Sequence, residues 1–150
     1  MPKLVKFFAV VLGTSVAATG LPAATPAKDK LVGVWLVRQE GAPFPMHMYV
    51  FGADGTVHQA NPDAGNPRTS DSDGKGIWFH NGSKIVGKWV ELSADRSTHQ
   101  YIGRGELTFS LKLVGDRLTG ISTFRSFDAD GKANGGPFKV PFDGTRITYP

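Results

Sequence analysis

Between residues 31 and 148, apolar side chains return at every second position rather than at helical spacing. No run of ten residues places apolar groups at i, i+3, i+4 and i+7 without a glycine interrupting it. Turn pairs punctuate the alternation: Asp54-Gly55, Asn81-Gly82, Ala94-Asp95, Gly115-Asp116 and Asp130-Gly131, each beside β-branched or aromatic residues. Read between them, strands are predicted near 31–38, 46–52, 56–60, 76–80, 84–92, 98–102, 105–114, 117–127 and 138–148. Nine short antiparallel strands in about 120 residues imply an all-β domain, a barrel or a sandwich.

Hairpin register assigns the faces. If Gly115-Asp116 is a two-residue turn, Leu113–Leu118, Leu111–Gly120, Phe109–Ser122 and Leu107–Phe124 share an apolar face. Glu106–Arg125 and Lys112–Thr119 then share the polar one, as expected of a sheet wet on one side. Around Asn81-Gly82, Lys84 and Lys88 turn one face to solvent together with Ile77, Phe79 and Val86. Trp78, His80, Ile85, Gly87, Trp89 and Glu91 then point inward. The second strand is ambiguous: His47, Tyr49 and Phe51 share one face, and Met46, Met48 and Val50 the other, which is the more apolar. A two-residue turn at Asp54-Gly55 would set His58 opposite Phe51, on the face of His47.

The 150 residues amount to one domain, and the absence of cysteine excludes a disulfide scaffold, a thiolate zinc site and a cysteine nucleophile. Residues 1–27 have the build of a secretory signal peptide: Lys3 and Lys6, an apolar run from Phe7 to Ala18, and small residues before Lys28. The expected division is therefore 1–27 signal peptide and 28–150 barrel domain, in a secreted or periplasmic protein with no stable membrane insertion once the leader is removed. Losing Lys3 and Lys6 lowers the formal charge from +4 to +2, and the remaining cations are scattered among acids, which disfavours nucleic acid as a partner. Residues 61–75 show neither strand nor helix pattern, and a segment of that length reads as a functional lid or a mobile insertion. Phe44, set between Pro43 and Pro45, reads as exposed.

The chain carries Leu31-Val32-Gly33-Val34-Trp35 in its first strand and Gly144-Thr145-Arg146-Ile147 in its last. A Gly-x-Trp in the first strand with an arginine in the last resembles the lipocalin-like (calycin) barrels, in a reduced bacterial form. The Thr-Asp-Tyr motif and the helix before the last strand are missing. The resemblance implies a single antiparallel up-and-down β-barrel of about 8–9 strands. It also implies that Trp35 plugs one end while Arg146 packs across its ring. Haem in the manner of a nitrobindin-like relative would need a histidine late in the chain, and the last is His99. No cofactor is expected.

Inside such a barrel, Met48, Val50, Trp78, Trp89, Phe109, Leu111 and Phe124 would line an apolar pocket, with Gly87, Gly120 and Ser122 leaving room. The expected function is an exported binding protein for a small hydrophobic or aromatic molecule. The alternative is a barrel enzyme, an isomerase, cyclase or lyase, using His80 or His47 with Glu91 or Tyr49 as acid and base. A third reading is an interaction protein that uses Phe44 over a solid interior. His47 and His58 have no third ligand at convincing spacing, so no metal is expected. In Asp71–Gly76, Lys75 stands where a calcium loop needs an oxygen.

Overall fold

A computed structural model describes residues 29–63 and 65–149. The proposed leader, 1–27, lies outside the described residues. The elements are nine strands: β1 (Gly33–Gln39), β2 (Met46–Phe51), β3 (Thr56–Ala60), β4 (Thr69–Asp71), β5 (Gly74–Asn81), β6 (Lys84–Asp95), β7 (Tyr101–Val114), β8 (Arg117–Asp128) and β9 (Ala133–Arg146). All pairings are antiparallel, and no helix occurs among the described residues. The sheet runs β6-β5-β3-β2-β1-β9-β8-β7 and returns to β6 through a β6–β7 pairing, which closes an eight-stranded barrel. The ninth strand, β4, continues the edge of β6 beyond β5, with Asp71 opposite Ser93.

The β7–β8 hairpin pairs in the expected register, from Val114↔Arg117 through Gly103↔Asp128. The β5–β6 hairpin likewise turns Ile77 and Phe79 out to solvent and Trp78 and Trp89 in. Three expectations are corrected. In place of separate strands at 98–102 and 105–114 there is one strand, β7 from Tyr101, because the chain turns at residues 96–99, where Asp95 Oδ1 accepts from the Ser97 and Thr98 amides at 2.8 Å each. The final strand begins at Ala133, not near 138. Between β2 and β3 the connection is Gly52–Gly55 rather than two residues, since Phe51 pairs with Val57 and Gly52 N–H donates to the Thr56 carbonyl at 2.8 Å. That one-residue shift sends His58 outside, opposite Val50, where its Nδ1 lies 3.1 Å from Lys75 Nζ.

The shift also settles the second strand. His47, Tyr49 and Phe51 face the lumen, while Met48 and Val50 are 48% and 41% exposed on the outer wall. In a closed barrel the larger and more rigid set fills the lumen: two aromatic rings and an imidazole occupy space that Met and Val would leave empty. Tyr49 packs against Phe51, Phe109 and Phe142 at centroid distances of 6.0, 6.4 and 6.4 Å, and Phe51 meets Trp78 edge-on at 5.9 Å. Gly87 and Gly120 do not leave voids. The Phe109 ring lies over Gly87 and the Phe142 ring over Gly120, each in the space that a Cβ would need.

One barrel end is sealed. Trp35 is fully buried, its Nε1–H donates to the Leu31 carbonyl at 2.9 Å, and the Arg146 guanidinium stacks 4.3 Å from the indole centroid. The same guanidinium donates to the carbonyls of Val32 (3.0 Å) and Lys30 and to Asp116 Oδ1 (2.8 Å). A cation over a desolvated indole contributes about 0.5–2 kcal/mol. Gly33 is required here: its φ is +144°, and a Cβ would sit 2.7 Å from Arg146 Nη1. Gly33→Ala is therefore expected to cost about 1–3 kcal/mol. Thermal denaturation checks this, and an unchanged melting temperature would contradict the tight fit of Arg146 against Gly33.

Candidate functional site

The opposite end of the barrel is open. Above the Tyr49 layer the inward side chains become smaller or polar, and a cavity of about 530 Å³ remains. Its walls are Trp89, Leu107, Phe124, Phe138 and Val140. The 41–44 loop and residues 61–63 and 65–66 border the mouth, and they meet where Gly65 approaches Pro43. Phe44 does not stand out into solvent; it is half-buried and borders the cavity.

Of the segment expected to lack structure, 61–75, Thr69–Asp71 is β4 and Gly74 opens β5; residues 61–63 and 65–68 are irregular and are held chiefly by the Arg96 side chain. Arg96 donates through Nη2 to the Asp63 carbonyl (3.0 Å), pairs with the Asp63 carboxylate (2.8 Å), and donates through Nε to the Asn66 carbonyl (3.3 Å). The Asp71 amide closes the segment onto Asp63 Oδ1 at 3.2 Å. Polar loops without ladder partners need such side-chain substitutes for their backbone groups.

Two polar groups at the cavity stand out. His47 is 7% exposed, and its Nδ1 lies 2.9 Å from Gln59 Nε2. Gln59 Oε1 accepts the Gly74 amide at 3.1 Å. A backbone N–H can only donate, so the Gln59 amide is oriented with its oxygen on Gly74 and its nitrogen on His47. Nδ1 must then accept, which places the proton of neutral His47 on Nε2. That atom is buried and has no hydrogen-bond partner. Burial holds the imidazole below its ordinary pKa; the backbone of Phe44 offsets part of the shift without making a hydrogen bond of normal geometry.

Glu91 is the second. Its Oε1 folds across Gly105, which faces it on β7 and lacks the side chain that would displace it. Burial pushes the carboxyl up to about 7, and the neighbouring Asp71 adds to the shift. No hydrogen bond from a described residue lowers it again. Tyr49 lies beneath, its oxygen accepting from Trp89 Nε1 at 3.3 Å; burial raises its pKa far above the usual phenol range, and Glu91 contributes.

The residues expected at a site thus separate. Trp89 and Phe124 line the cavity, whereas Trp78, Phe109 and Leu111 belong to the filled core below it. Met48 and Val50 are on the outer wall. His80 faces the sealed end, half-exposed, with Nε2 2.6 Å from Asp29 Oδ2, so it cannot pair with Glu91. His47 and Glu91 border the same cavity, while Tyr49 is buried in the aromatic layer and does not line it. Sequence reasoning missed Gln59, whose role is visible only once β3 and β5 are paired. Asp71 was passed over as part of a failed calcium loop. Among the described residues, no three His, Asp or Glu side chains gather to hold a metal.

Comparison with known proteins yields no matching family model, no matching curated protein and no matching solved structure.

Two outcomes follow from these protonation states. The raised pKa of Glu91 means that its burial costs nothing below about pH 4.5 and destabilises the fold as pH rises through 7. Glu91→Gln is therefore expected to match the parent at low pH and to gain about 1–3 kcal/mol over it by pH 8, as read from denaturant midpoints. A pH-independent difference would contradict the assignment. Histidine ¹⁵N spectra should show His47 as the Nε2–H tautomer, titrating below an ordinary imidazole. Protonation of Nδ1 in the neutral ring would refute the Gln59 lock.

Proposed function

We propose that this chain is an exported binding protein that takes a small hydrophobic or aromatic molecule into the open mouth of its barrel. The observation that carries this reading is the asymmetry of the lumen. One end is filled by Trp35, Arg146 and the aromatic layer, while the other holds a walled cavity of about 530 Å³, a volume typical of small-molecule sites. The stack of Arg146 on Trp35, with Gly33 beneath the guanidinium, supports a relationship to the lipocalin-like (calycin) barrels. Export rests on the leader-like sequence of residues 1–27.

Trp89 lines the cavity and Trp35 and Trp78 do not, so a bound apolar probe should change one indole selectively. Titration with a panel of hydrophobic probes should give saturable quenching that Trp89→Phe abolishes and Trp78→Phe keeps. Val140→Trp, which fills the cavity, should weaken binding at least about tenfold. Absence of saturable quenching with every probe would overturn the carrier reading.

One specific observation favours the enzyme alternative: His47, a fixed N–H donor, and Glu91, a carboxyl poised near neutrality, border the same cavity. Such a pair suits proton transfer in an isomerase, cyclase or lyase. Ligand recovered chemically unchanged after prolonged incubation favours the carrier, and turnover that Glu91→Gln abolishes favours the enzyme.

A further inference from the structure

The charges around the cavity narrow the chemistry of its occupant. Among the described residues that line it, the charged side chains are Asp63, Asp71 and Glu91; no lysine or arginine reaches it. Asp63 is neutralised by Arg96 at 2.8 Å, and Asp71 accepts from Ser93 Oγ at 2.6 Å. Glu91 has neither an ion pair nor a hydrogen bond from any described residue, although it is largely withdrawn from water. Lys88, on the same strand, and Arg104, beside Gly105, are turned to the outer wall, where Arg104 and Lys88 both pair with Glu106 at 2.7 and 2.5 Å.

A carboxylate held over Gly105 in an apolar setting, with no counter-charge from the protein, leaves a place for a cation brought from outside. A second unsatisfied group borders the same cavity: the nine-tenths-buried His47, whose Nε2–H has no acceptor. Its Nε2 is itself closed off from the cavity space, so polar recognition of an occupant falls to Glu91. The walls between, Phe124, Phe138, Leu107 and Val140, suit a hydrocarbon or aromatic body.

We propose that the occupant is an organic amine, its protonated nitrogen set against Glu91 and its apolar body against the Phe124–Phe138 wall. Acidic amphiphiles of the fatty-acid type are disfavoured, since their carboxylate would meet Glu91 and Asp71 with no cation to hold it. This assignment rests on the cavity being a ligand site and specifies which class of ligand it accepts. The titratable groups beside Glu91 are Asp71 from β4 and Tyr49 from β2, with His47 of β2 elsewhere on the same cavity; Gly105 and Leu107 of β7 and Phe124 of β8 bring no charge. Binding of a cation draws the Glu91 proton off, so amine affinity should rise with pH across the range in which Glu91 ionises.

The test uses three probes with one body: 4-phenylbutylamine, 4-phenylbutanol and 4-phenylbutyrate, titrated calorimetrically into the leader-free protein near pH 7.5. The amine should bind at least about tenfold more tightly than the alcohol, with the carboxylate weakest. In Glu91→Gln the ratio of amine to alcohol affinity should fall to within about twofold of unity. Should that variant fail to fold, the same ratio in the parent protein should decline several-fold between about pH 8 and pH 5.5. Alcohol or carboxylate binding as tightly as the amine would overturn the amine assignment while leaving the cavity a ligand site. Failure of all three to bind would overturn the site itself.

Discussion

Closing eight strands through the β6–β7 pairing puts every inward side chain into one lumen, and that lumen has to be filled from within. The lower part is filled by Tyr49, Phe51, Phe109 and Phe142, with rings laid over Gly87 and Gly120, and it is capped by Trp35 under Arg146. Large residues opposite glycines make a solid plug. Above Tyr49 the inward positions carry Gln39, Ser122, Gln59 and Val140, too small or too constrained by hydrogen bonds to meet across the barrel. The cavity begins where the aromatic layer stops.

The same boundary governs the polar chemistry. On one side of the cavity floor, buried polar atoms are absorbed into the wall: Gln39 Nε2 donates to Ser122 Oγ at 2.5 Å, and Ser122 Oγ donates to the Val140 carbonyl at 3.1 Å. At the cavity, withdrawal from water continues but partners run out, and a low effective dielectric makes an unpartnered group costly. His47 responds by staying neutral in one tautomer, and Glu91 by holding its proton to about pH 7. Both effects come from position in the barrel rather than from any local sequence motif.

The sequence disclosed most of the architecture. Alternation and the Gly115-Asp116 turn revealed the β7–β8 hairpin to the residue, because a two-residue turn leaves the register no freedom; for β5–β6 they revealed the inward face, although the turn there is Gly82-Ser83 rather than Asn81-Gly82. Phase was lost where the turn was misjudged: counting Asp54-Gly55 as the whole loop shifted β3 by one residue and moved His58 to the wrong face. For β2, hydropathy pointed to Met48 and Val50, whereas the shape of the lumen demanded Tyr49 and Phe51. Of the site, Trp89, Phe124, His47 and Glu91 were legible as inward or candidate polar positions. Which inward residues meet a void and which meet each other depends on contacts across the barrel, among them Phe109 over Gly87, that no single strand encodes.

The division of the lumen is the central claim, and methyl chemical-shift mapping under xenon tests it directly, because the gas reports apolar void wherever it lies. Shifts should be confined to Leu107, Val140 and their neighbours at the mouth, with Ile85, Leu111 and Leu118 at the sealed end unmoved. Perturbation of the sealed-end methyls, or of none at all, would contradict a barrel filled at one end and vacant at the other.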